Sequence, residues 1–119
     1  MLSGLKEERV VAAAQYGRST ASYSGDKREF ISAVRDALHA AKICSYAQGM
    51  GLIRAGSNEY RWNIDMKEIA RIWKAGCIIR AVFLNDITKS FNEQPDLPNL
   101  LLAPRFRDAV GKRQEAWRR

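Results

Sequence analysis

The chain has 119 residues, 46% of them apolar and 28% charged, which fits one small globular unit with a single core. Ordinary apolar content, with no long block of one charge sign, excludes collagen-like, low-complexity and disordered chains. Lys plus Arg 20 against Asp plus Glu 13 leaves a net charge of +7. That surface favours anionic company without choosing between phosphates, nucleic acid and acidic protein.

The longest stretch without a charge, Ile43 to Ile53, falls far short of the ~20 apolar residues of a membrane span. The opening segment carries Glu7 and Glu8 where a targeting peptide would be apolar or free of acids. Cys44 and Cys77 are too few and too far apart for a disulfide framework or a CxxC zinc site. They read as reduced cysteines of a cytoplasmic protein.

Leu2, Leu5 and the run Arg9 to Ala13 predict an opening helix. Gln15 to Gly25, with Gly17, Ser19, Thr20, Ser22 and Ser24, reads as a loop. Asp26 with Glu29 three residues on is a capping box, the carboxylate taking free amide protons of the first turn. Beyond it Phe30, Val34, Ala37, Leu38, Ala41, Ser45 and Gln48 share one helical face, and the pattern runs to about Ala55. A helix of that length spans about 45 Å, more than a domain of this size needs, so it is expected to pack against something outside the chain.

Asp65 and Glu68 repeat the capping box, with Ile64 and Ile69 as a hydrophobic staple. Ile69, Ile72 and Trp73 then form one face that stops near Gly76. A further helix is expected from Ile79, Val82, Phe83, Ile87 and Phe91. Pro95 and Pro98 break the pattern. Pro104 suits the first turn of a last helix with Phe106, Val110 and Trp117 on one stripe. No segment alternates with period two for long enough to be a strand. The expected class is all-α, and both ends fall inside amphipathic patterns, as in a piece of a longer protein.

Side chains that carry chemistry are sparse. His39 is the only histidine, and one imidazole near Asp36 is not a catalytic or metal site. Gly49, Gly51 and Gly56 miss the dinucleotide spacing and follow no strand, so they read as helix-packing glycines. Ile64 to Phe91 has helix-turn-helix length, but its second half is too apolar to read base edges. Arg105, Arg107, Lys112, Arg113, Arg118 and Arg119 form a basic cluster, read as a solvated face or a face against an acidic partner element, or else as an anion patch. Tyr46, Gln48, Trp73 and Phe83 are expected in helix packing, and Arg80 as a buried or interface charge.

The stretch Lys42-Ile-Cys-Ser-Tyr-Ala-Gln-Gly-Met50 resembles the 6-phosphogluconate dehydrogenases, decarboxylating NADP-linked enzymes of the pentose phosphate pathway. Ser3 to Val10, Gly25 to Phe30, Ala75 to Leu84 and Asn99 to Pro104 resemble the same family in order and spacing. The resemblance implies an N-terminal Rossmann domain for NADP, a large all-helical C-terminal domain, and a tail that reaches into the partner subunit of a homodimer. Residues 1–119 would be the middle of the helical domain. The implied reaction oxidises 6-phosphogluconate at C3 and releases carbon dioxide through an enediol to give ribulose 5-phosphate, with no metal.

None of the family's catalytic, cofactor-binding or substrate-binding residues is carried onto a position here, and no metal site is expected. The segment would supply scaffold and dimer surface and be inactive alone, with no membrane or nucleic-acid partner. Two other readings of the residues are a stand-alone helical interaction domain and a basic nucleic-acid-binding domain. Measured interaction with a helical partner would favour the first, and salt-sensitive affinity for nucleic acid the second.

Overall fold

A computed structural model describes residues 6–17, 22–76 and 78–118, and every regular element among them is helical. The order is α1 (Lys6–Tyr16), α2 (Lys27–Tyr60), α3 (Met66–Ile72), α4 (Leu84–Glu93), a 3-10 turn (Leu100–Leu102), α5 (Pro104–Gly111) and α6 (Gln114–Arg118). Leu2, Leu5, Ser19, Thr20, Cys77 and Arg119 lie outside the described residues. The opening helix extends through Gln15 and Tyr16, two residues into the expected loop, and buries none of its side chains.

Helix α2 begins where its capping box puts it, the Asp26 carboxylate accepting from the Glu29 N–H at 2.7 Å. It runs to Tyr60, five residues past Ala55, because the stop signal is conformational. Arg61 turns left-handed at φ 55°, and the Trp62 N–H donates to the Ser57 carbonyl. At 1.5 Å per residue its 34 residues span about 51 Å, matching the 50 Å long axis of the molecule.

The core forms on a different face of α2 from the one expected. Ala40, Ile43, Ala47 and Met50 are the buried residues, packed with Met66 and Ala70 of α3, Leu84, Ile87 and Phe91 of α4, Leu100, and Phe106 of α5. Phe30, Val34, Leu38, Ser45 and Gln48 are exposed, and Ala37 and Ala41 only half-buried. Leu38 and Ala47 point roughly 180° apart at about 100° per residue. The helix is apolar on two opposite sides, and this chain covers one of them.

Helix α3 starts at its expected cap, the Asp65 carboxylate accepting from the Lys67 N–H at 2.9 Å. Glu68 does not reach back to close the box. It pairs with Arg71 instead at 2.6 Å. Ile64 and Ile69 pack on the core as a staple should, and Gly76 takes φ 66°, past the end of the helix.

The next helix begins at Leu84, so the expectation of helix from Ile79 is corrected. Residues 78–83 are irregular, with turns at 78–79 and 82–83 and no side-chain cap at Phe83. β-branched Ile78, Ile79 and Val82 carry low helix propensity, and no polar cap precedes them. The turn lets Ala81 and Phe83 fold back onto the core while Ile78 and Val82 stand 102% and 89% exposed.

Pro104 does open α5, but the expected last helix breaks at Lys112 into α5 and α6. Phe106 and half-buried Val110 meet the core, whereas Trp117 remains half exposed. Helix α6 lies back along α2, where Arg113 pairs with Asp36 at 3.4 Å.

Candidate functional site

Two concavities lie beside α2. The larger is a polar cleft of about 680 Å³ between the end of α2, the turn into α3 and the end of α4. Its shape follows from local hydrogen bonding. Buried Ser57 accepts from the Ile64 N–H at 2.9 Å, which pins the turn against α2. The Arg54 guanidinium reaches across, donating to the Pro95 carbonyl at 3.5 Å and lying 5.6 Å over the Phe91 ring. On the opposite wall Lys67 pairs with Asp65 at 3.5 Å. Arg54 and Lys67 are thus engaged, Arg61 also lines the cleft, two carboxylates (Asp65 and Asp96) share the lining, and no imidazole or thiol is among it. Nothing here juxtaposes a nucleophile with a base.

The smaller concavity, about 350 Å³, is a groove between the first half of α2 and residues 81–83. His39 lines it with Arg35, Leu38 and Lys42 on the helix side. The Lys42 ammonium sits 5.9 Å over the Phe83 ring. His39 is exposed and stands among cations, so a histidine–carboxylate pairing with Asp36 does not form: Asp36 is held by Arg113 instead. Among the described residues no three His, Cys, Asp or Glu side chains converge on a common point.

The aromatic expectations divide. Tyr46 packs edge-on to Phe83 at 4.7 Å and to Trp73 at 6.1 Å, and Phe83 continues to Phe106 at 6.3 Å. This cluster ties α2 to Trp73 and Phe83. Gln48 is exposed and takes no part, which corrects its placement in the packing. Arg80 is exposed as well, so it is not a buried charge. Gly49 and Gly51 lie inside α2 with nothing of this chain within 4 Å of an added Cβ, so no helix described here approaches them closely. The Gly56 position meets Trp62 at 3.4 Å, part of the turn contact rather than a phosphate loop.

The basic cluster is interrupted by acids. Arg105 donates to Asp86 at 2.9 Å, Arg107 pairs with Asp108 at 3.3 Å, and Arg113 with Asp36. Three of its arginines are therefore paired on a solvated surface, while Lys112 and Arg118 are exposed and Arg119 lies outside the described residues. The apparent helix-turn-helix also dissolves, because an irregular stretch separates α3 from α4 and the stripe Leu84, Ile87, Phe91 is buried. The sequence reasoning missed Ile43, Ala47 and Met50, whose spacing of four and three was visible but masked by the equally regular opposite face.

Comparison with known proteins shows which family these helices resemble. The family model described as 6-phosphogluconate dehydrogenase, C-terminal domain, matches residues 1–119. The decarboxylating 6-phosphogluconate dehydrogenase of Synechocystis sp. is 52% identical over 118 residues, which are 99% of this chain and 24% of that protein. A rice relative of the same description is 52% identical over 119 residues, 99% of this chain and 25% of its own length. Among solved structures, the Plasmodium falciparum 6-phosphogluconate dehydrogenase, studied in its apo form, with its cofactor NADP+ and with its substrate 6-phosphogluconate, superposes with TM-score 0.80. It shares 34% identity, covering 98% of this chain and 26% of that one. The chain thus spans about a quarter of the relatives it matches. Matched along its whole length by the family's helical domain, it belongs to the 6-phosphogluconate dehydrogenase family.

Proposed function

We propose that these residues serve in a homodimeric, cytoplasmic enzyme that oxidatively decarboxylates 6-phosphogluconate to ribulose 5-phosphate with NADP. In this reading the cofactor sits on a Rossmann domain encoded outside residues 1–119, and so do the proton-transfer groups. The present segment supplies helical scaffold and subunit-facing surface and turns nothing over alone. The observation that carries the reading is end-to-end identity of about half with relatives that are roughly four times longer. Two features of the molecule support the division of labour. Neither concavity brings an acid–base pair together, and Ile31, Val34 and Leu38 on one side of α2 stay largely exposed among the described residues.

A stand-alone interaction domain and a nucleic-acid binder are not favoured. The family match leaves no part of the chain unexplained, and Arg105, Arg107 and Arg113 are occupied by carboxylates. The reading is tested by grafting residues 1–119 into the Synechocystis enzyme in place of the matching segment. Substrate-dependent NADPH formation, followed at its near-ultraviolet absorbance, is expected within about tenfold of the parent, a barrier change of about 1.4 kcal/mol. A chimera that folds and dimerises yet forms no NADPH overturns the reading. Turnover by the isolated chain overturns the claim that it is inert.

A further inference from the structure

The groove between α2 and residues 81–83 has an unusual balance of chemistry. Its floor is apolar, made by Leu38, Ala81, Val82 and Phe83. Its rim is cationic, with Arg35 and Lys42 about two turns apart on α2 and His39 between them. No carboxylate lines it, although Asp and Glu make up 13 of the 119 residues. Among the described residues neither Arg35 nor Lys42 forms an ion pair, while Asp36 on the next face of the helix is taken by Arg113.

The apolar floor does not end at the groove. Ile31 and Val34 continue it toward the N-terminus of α2, both exposed. In the other direction Ser45 and Gly49 follow on the same side, and the Gly49 position has open space before it. Together these make a strip several turns long on α2, with positive charge along one edge. A helix laid there would put apolar residues at intervals of three and four against Ile31, Val34, Leu38 and Val82. Its flanking positions would face Arg35 and Lys42, where carboxylates gain and lysines lose.

We infer that this strip is the seat of an acidic amphipathic helix from the same enzyme, contributed by sequence outside residues 1–119. The inference rests on the proposed reading above, in which about three quarters of the enzyme lies beyond this segment. Charge selects the occupant: a basic helix, a nucleic acid without apolar anchors, or a second copy presenting its own Arg35 and Lys42 fits less well.

The test uses overlapping peptides of about 15 residues, roughly four helical turns. They are drawn from the Synechocystis enzyme outside the matched segment, and the full 119-residue chain is titrated into each labelled peptide. The tightest binders are expected to be acidic and amphipathic. Their affinity should fall as salt rises from about 50 to about 300 mM, because screening shortens the reach of rim charges. The exposed-site double variant Arg35→Glu/Lys42→Glu should weaken them on the order of tenfold, with its circular dichroism unchanged. Leu38→Asp should weaken them too, from the apolar side.

Binding that is strongest for neutral or basic peptides, or indifferent to the double variant, overturns the inference. So does the absence of any binding peptide, displacement by single-stranded oligonucleotide alone, or a dimer of the isolated chain that Leu38→Asp disperses. The readout needs no turnover. An inactive chimera beside a bound acidic peptide therefore removes only the functional reading, and an active chimera without peptide binding removes only this one.

Discussion

Two leucines distinguish the covered and uncovered sides of this fold. Leu84 is 0% exposed, surrounded by the α2, α3 and α4 contributions to the core. Cutting it to Ala removes buried methyl and methylene groups and leaves a void, at a cost of about 3 kcal/mol within the usual range for such sites. At roughly 2.1 cal/mol/K per residue, the unfolding entropy of 119 residues is near 0.25 kcal/mol/K, so the melting temperature should drop by about 12 °C. Leu38 is 68% exposed on the side of α2 away from the core, and little of its surface leaves water on folding. Leu38→Ala should therefore cost less than about 0.5 kcal/mol, the more so because Ala is the better helix former. Thermal melts and urea titrations of the two variants, followed by helical circular dichroism, measure both values. Equal losses, or a larger one for Leu38→Ala, would refute the assignment of which α2 face is buried within this chain.

Three further variants address local devices. Asp26→Ala deletes the cap on the Glu29 N–H and should cost about 1 kcal/mol, read as a lower urea midpoint at unchanged slope. Ser57→Ala leaves the Ile64 N–H without its acceptor at a buried site. A loss of about 1–3 kcal/mol is expected, with the Trp62 fluorescence reporting a loosened turn. Arg105→Ala removes a surface pair whose side chains are both more than a third exposed, and should change stability by well under 1 kcal/mol. A loss above 2 kcal/mol there would show that the pair is shielded from solvent.

What the sequence made legible were features written in local chemistry. Asp26, Asp65 and Pro104 each carry their meaning within three or four residues, and each stands where expected. The all-helical class followed from periodicity alone. What could not be read was which face of α2 turns inward. Phe30, Val34 and Leu38 form as regular an apolar stripe as Ile43, Ala47 and Met50, and only the position of α3 and α4 decides between them. The same limit explains Gln48 and Arg80, whose exposure depends on neighbours rather than on spacing. Helix α4 was misplaced for a related reason. Hydrophobic spacing continues back through Val82 and Ile79, but a turn lets Phe83 reach Tyr46 and Phe106.

The size of the uncovered surface says what sort of contact is needed to complete it. A folded monomer of 13.5 kDa exposes about 6,500 Å² by the usual scaling, whereas this chain exposes 9511 Å². The radius of gyration, 18.6 Å, likewise exceeds the roughly 13.5 Å of a compact unit of this length. The excess of about 3,000 Å² is several times the roughly 800 Å² that one partner gives to a standard encounter complex. Surface on that scale, with Ile31, Val34, Leu38, Leu52, Ile78 and Val82 in it, is what the proposed reading, a segment of a larger enzyme, expects. On that reading stability and assembly are one quantity for these helices. A substitution such as Leu38→Ala, nearly silent in the isolated segment, should become costly once the grafted segment is enclosed by the rest of the Synechocystis enzyme. If it remains silent in the active chimera, the second face of α2 is not an interior surface.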